Sequence, residues 1–143
     1  MKIALIAITK HGVEHAKALK AKLQGAELWV SEKQKELAPE ADGNFATIKD
    51  FTASAWDKYD GLVYHVSLGA VVRTIAPFLK GKDVDPAVVT VDDGKRFAIS
   101  VLNLHAKPGD SIASMTRRLA AKTRLVFDYL LMTRNSTGHA AVA

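Results

Sequence analysis

Cysteine is absent from this chain, which removes disulfides, thiolate nucleophiles, iron–sulfur clusters and cysteine-ligated zinc together. That fits a reducing, cytoplasmic setting. Long apolar runs are missing too: no stretch approaches the ~20 apolar residues of a membrane span. The apolar opening, residues 3–8, is followed by Lys10 and His11, where a signal peptide would carry an uncharged cleavage region, so it reads as a buried strand. The sequence also lacks a complete glycine-rich phosphate loop, zinc-finger spacing, an RNP-like aromatic strand and an arginine-rich tail, which argues against nucleic acid as a partner.

What is present suits one domain with one core. The 143 residues are too few for two full domains, and a hydrophobic fraction of 48% is too high for a disordered chain. A single α/β domain is expected over 1–134, with 135–143 as a disordered tail. The net charge of +5 is uneven. Eight Lys and Arg between residues 95 and 134 face only Asp110 and Asp128, a field that favours polyanions.

Residues 3–8 are apolar throughout, as in a central parallel strand. Val13, Ala16, Leu19 and Leu23 follow at helical spacing, Gly25 closes that helix, and residues 26–30 form a second strand. This is a βαβ unit with a right-handed crossover. Residues 31–44 read as a surface loop with a helical turn or two, 45–48 as a short edge segment and 52–56 as a short helix. Residues 61–66 are another buried strand. A largely apolar helix over 69–79 is expected to lie deep against the sheet, with Pro77 bending or tightening its second half. Residues 87–91 and 97–102 flank the turn signal Asp92-Asp93-Gly94 and are too close for a parallel crossover, so they pair as a hairpin. A last helix should start near Asp110 or Ser111. The fold class that follows is α/β: a three-layer, open, mixed but mostly parallel sheet with helices on both faces.

Ser67-Leu68-Gly69-Ala70 follows a strand and opens a helix. At such a junction free backbone N–H groups and the positive helix end meet an anion, with Ser67 as a further donor; a simple cap with a tight turn is the alternative. Arg73, one turn into an apolar helix, suits a ligand carboxylate or a structural salt bridge to Asp85 or Asp92. His105 lies past the end of the 97–102 strand and could shuttle a proton at neutral pH or simply be exposed. Ser100, inside that strand, could reach the site. His65 is read as a satisfied core or edge residue. His11 and His15 stand at i, i+4, but Glu14 does not directly follow the first His as a metalloprotease motif requires, so no metal site is expected.

The run Ser67-Leu68-Gly69-Ala70-Val71-Val72-Arg73-Thr74-Ile75-Ala76-Pro77, then Lys82, Asp85-Pro86-Ala87-Val88-Val89, Val91-Asp92 and Phe97-Ala98-Ile99-Ser100, resembles the amino-terminal and central part of the CbiG family of cobalamin biosynthesis proteins, over most of residues 1–102. The resemblance implies a cobalt-precorrin 5A hydrolase of anaerobic cobalamin biosynthesis, which opens a δ-lactone on the macrocycle and releases acetaldehyde. It implies a polycarboxylate cobalt-corrinoid as ligand and no resident cofactor, the cobalt belonging to the substrate. Gly69, Ala70, Arg73, Thr74 and Ser100 would hold the macrocycle, with Ser67 and His105 as the catalytic pair. Two departures bear on this. The family's Ser-Gly-His-x-Gly-Gly-Ala-Asn stretch is Asn103-Leu104-His105-Ala106-Lys107-Pro108-Gly109-Asp110 here, and Leu104 and Pro108 deny that loop the positive-φ backbone of glycine. Family members also usually carry a further carboxy-terminal domain. A non-catalytic corrinoid-binding module, a homodimer, or a subunit completed by a separate protein partner therefore stands as the alternative.

Overall fold

The computed structural model describes residues 2–81, 84–94 and 98–102. Strands β1 (Ile3–Ala7), β2 (Glu27–Ser31), β3 (Gly43–Phe45), β4 (Gly61–His65), β5 (Ala87–Val91) and β6 (Ala98–Leu102) form one sheet in the order β3-β2-β1-β4-β5-β6. All neighbours are parallel except β5 and β6, the expected hairpin. Helix α1 (Lys10–Lys22) joins β1 to β2, α2 (Ile48–Ala55) joins β3 to β4, and α3 (Leu68–Ile75) joins β4 to β5.

The central strands β1, β4 and β5 are largely apolar because both of their faces are covered. Leu5, Ala7 and Val63 point to the α1 side, where Val13, Ala16 and Leu19 meet them. Ala4, Ile6, Leu62 and Tyr64 point to the other side, against Phe51, Ala55 and Trp56 near α2 and Val71 and Ile75 of α3. Each large apolar side chain so enclosed contributes roughly 1.5–3 kcal/mol.

Caps set the helix starts. The Thr9 hydroxyl accepts from Gly12 N at 2.9 Å, and the Thr47 hydroxyl accepts from Asp50 N at 3.1 Å. That second cap starts α2 at Ile48, ahead of the expected 52–56 helix, and the edge strand lies at Gly43–Phe45 rather than 45–48. Gly25, with φ 80°, makes the turn into β2 in a conformation that L side chains rarely adopt. At Gly12 the requirement is space: a Cβ there would sit 3.0 Å from the His65 carbonyl oxygen.

The expected 69–79 helix divides. Its α-helical part ends at Ile75, and Pro77 sits in a 3-10 turn over Ala76–Phe78, because a residue without N–H cannot continue the i→i−4 ladder. The expectation that it lies deep is corrected. Only Val71 and Ile75 of α3 are buried, while Leu68 and Val72 are exposed; the wide apolar arc exceeds what one sheet face can cover. Residues 103–143, with His105, most of the basic cluster, the last expected helix and the tail, lie outside the described residues.

His65 also departs from expectation. It is 1% exposed, and neither ring nitrogen makes a well-aligned hydrogen bond, although the Ile6 backbone lies close enough to favour the charged form slightly. Burial first, and the neighbouring His15 second, push its pKa down to about 3. The unfolded chain therefore takes up this proton near pH 6.5 while the folded chain does not. The stability is intact above that pH and is lost as pH falls from there towards 3. From pH 7 to pH 5 the loss from this group should reach about 2 kcal/mol in urea titrations. His65→Leu should lack that part of the pH dependence, and equal losses in parent and variant would assign it elsewhere.

Candidate functional site

The sheet order reverses at β1 and β4. From β1 the chain proceeds outward to β2 and β3; from β4 it proceeds the other way to β5. Ala7 and His65 are paired at the carboxyl ends of these two strands. There α1 and α3 start on opposite faces, leaving a crevice between their first turns, the usual ligand position in open α/β sheets.

The two starts differ. At α1 the Thr9 hydroxyl occupies Gly12 N and also donates to Asp93 Oδ1 at 3.2 Å. At α3 Ser67 makes no side-chain cap. The first intrahelical bond there runs from Val71 N to Ser67 O at 3.1 Å, so the amides of Leu68, Gly69 and Ala70 precede the ladder and point outward. Ser67 and Gly69 are exposed, and a Cβ added at Gly69 would meet nothing within 4 Å. A ligand can approach this backbone closely.

Arg73 is exposed and has no ion-pair partner among the described residues. The salt bridge to Asp85 or Asp92 that the sequence left open is not formed. Helical side chains lean towards the amino terminus, and position 73 lies one turn beyond position 69 on the same face, so an arginine here can reach over the turn that holds Gly69. Thr74 is less available: its hydroxyl donates to Ala70 O at 2.7 Å. Ala70 is half-buried and can offer only its amide.

Ser100 is exposed and pairs with Val89 in the antiparallel strand. A register shift at Val88/Val89 leaves Val101 as the extra residue of a bulge. Because β6 runs against the other strands, Ala98 stands opposite Val91 at the carboxyl edge and Leu102 opposite Val88 near the amino edge. His105, proposed beside Ser67 from the sequence, lies outside the described residues. Asp93, held by Thr9, is an acid that sequence reasoning passed over as a turn residue; its position became visible only with the register of β5.

Lys10 and His11 are exposed in the first turn of α1, also at the crevice. His11 approaches Glu14 at 3.9 Å while His15 is buried, so the i, i+4 pair does not converge. No cluster of three or more metal-ligating side chains occurs among the described residues, and no helix among them is long and apolar enough to cross a membrane.

A cavity of about 300 Å³ lies elsewhere, beside β3 and α2, lined by Trp29, Phe45, Phe51 and Tyr59 among others. Of its polar groups, Trp29 Nε1 donates to Tyr59 Oη at 3.0 Å, and Tyr59 Oη donates to Glu27. Burial, then the bond to Glu27, raises the Tyr59 pKa to about 12, and that same bond leads the lowering of Glu27.

Asp85 explains what Arg73 does without. It is 7% exposed and accepts from Trp56 Nε1 at 3.2 Å, Lys80 N at 3.0 Å and Gly81 N at 3.1 Å. Its carboxylate fastens the chain leaving α3 and is occupied by neutral donors. Asp85→Ala should cost roughly 3 kcal/mol in urea unfolding by stranding those donors, with Asp85→Asn intermediate. A loss below about 1 kcal/mol would show that the loop does not depend on it.

Comparison with known proteins identifies relatives of the chain. Residues 50–126 match the family model described as cobalamin synthesis G N-terminal. The chain is 40% identical over 125 residues to a cobalt-precorrin-5A hydrolase of Priestia megaterium, covering 85% of this chain and 32% of that protein. It is 37% identical over 120 residues to the enzyme of the same name from Salmonella typhimurium, covering 82% and 32% respectively. The chain thus spans about a third of the length of these relatives. A crystal structure of a cobalamin biosynthesis protein G homolog from Sulfolobus solfataricus aligns with a TM-score of 0.49 and 22% identity, over 84% of this chain and 33% of that one.

Proposed function

Because the chain belongs to the cobalamin synthesis G N-terminal family, we propose that it receives a polycarboxylate cobalt-corrinoid at the β1/β4 crevice, in the cytoplasm, and serves as a cobalt-precorrin-5A hydrolase. The observation that carries the reading is an exposed arginine, without an ion pair among the described residues, above an uncapped helix start. Peripheral carboxylates of the macrocycle would meet the Arg73 guanidinium and the amides of Leu68 to Ala70, where charge-assisted hydrogen bonds and the helix field act together. Thr74 and Ser100 would contribute at most at the margin. Cobalt enters as part of the substrate.

Opening a δ-lactone requires water to attack the ring carbonyl, a base to accept the water's proton, and donors for the developing oxyanion. Ser67 and the Gly69 amide supply donors at one place. His105 is the base proposed from the family resemblance, and Asp93 is the carboxylate already at this edge. The ring oxygen leaves as a hydroxyl once protonated; loss of that hydroxyl's proton with cleavage of the carbon–carbon bond to the macrocycle then releases acetaldehyde, the electron pair staying on the ring. Leu104 and Pro108, standing where the resembled family has glycines, favour a second reading: a non-catalytic corrinoid-binding module, or a subunit whose base comes from a second copy or a protein partner.

Arg73→Ala is expected to weaken corrinoid binding by at least tenfold, by isothermal titration, with an unchanged circular dichroism spectrum; an unchanged dissociation constant removes Arg73 from the site. For the chemistry, acetaldehyde release by the parent should fall in His105→Ala by more than binding does. A parental rate in that variant together with a slow Asp93→Asn transfers the base to Asp93. Binding without turnover in the parent selects the module.

A further inference from the structure

The exposed arc of α3 carries more than a charge. At 100° per residue, Leu68, Val72, Ala76, Gly69 and Arg73 fall side by side on the face opposite the half-buried Ala70 and Thr74. All five are exposed, with Leu68 at 41% and Val72 at 48%. Leu68, Val72 and Ala76 form an apolar row about 12 Å long, and Gly69 and Arg73 form a parallel row with open backbone and a cation. The glycine adds no side chain between them. Apolar side chains left in water beside a guanidinium make an amphiphilic surface, which suits an occupant with an apolar face and an anionic rim.

We propose that Leu68 and Val72 are the platform for the flat face of the macrocycle, while Arg73 and the α3 amides take its peripheral carboxylates. The inference rests on the corrinoid-binding reading and adds the residues that distinguish a ring from any other polyacid. Charge complementarity selects this occupant. A second copy of the chain would bring another Arg73 towards the same row, whereas a polycarboxylate ring supplies the missing negative charge. A short row beside a single cation also fits a disc better than an extended apolar chain.

The probes are cobyrinic acid, a cobalt-centred corrin polycarboxylate, and tricarballylate, a flexible tricarboxylate without a ring. Titrated against the 143-residue chain, Leu68→Ser/Val72→Ser should weaken cobyrinic acid binding roughly tenfold and leave tricarballylate unchanged. Arg73→Ala should weaken both. Val72→Thr, nearly isosteric, should show a smaller loss in the same direction and guards against misfolding of the double variant. Cobyrinic acid binding that depends on Arg73 but not on Leu68 or Val72 overturns the platform and leaves the anion site standing. Failure of the parent to bind cobyrinic acid overturns both. Sedimentation as a dimer that the double serine variant dissociates assigns the row to a second copy and also overturns the proposal.

Discussion

A parallel sheet cannot be built from hairpins. Each return to the same edge requires a crossover, each crossover is right-handed, and a strand buried on both faces needs cover from both sides. In this chain the constraint places α1 over one face and α2 and α3 over the other. It also forces α1 and α3 to begin at the same edge, beside the paired ends Ala7 and His65. The crevice is therefore a product of connectivity, present before any side chain is chosen for chemistry. Residue choice then differentiates its two walls: Thr9 caps the Gly12 amide of α1, and Ser67 makes no side-chain cap on α3.

That division accounts for what could be read in advance. The βαβ opening, the buried strands at 61–66 and 87–91 and the hairpin through Asp92-Asp93-Gly94 were legible because each depends on local pattern: an unbroken apolar run, a helical period, a turn too short for a crossover. The α3 junction was legible for the same reason, since serine and glycine between a strand and a helix are a local signal. The burial of α3 was misjudged because apolar composition reports what a helix could bury and not how much neighbouring surface exists to cover it. Leu68 and Val72 are the difference.

Other features depend on contacts distant in sequence and had no local signature. Asp85 looked like one more turn acid, yet Trp56, 29 positions earlier, donates to its carboxylate. His65 looked like an ordinary strand histidine, and its depressed pKa arises from burial and from His15 on another element. The edge to which β6 delivers the chain followed from its antiparallel register with β5. The hairpin itself was anticipated.

The contact at Gly12 has a bearing on how this mouth could change. Helix α1 rests against the carbonyl of His65, where a Cβ at position 12 would sit 3.0 Å from the oxygen, so the seat of α1 on β4 is set main chain to main chain. A larger residue at position 12 would push the first helix from that strand by a few tenths of an ångström. Variation in the size or shape of what enters must then come from the outer surface of the other wall, where substitutions disturb little beneath. One jaw of the vice is rigid, and selectivity is left to the lining of the other.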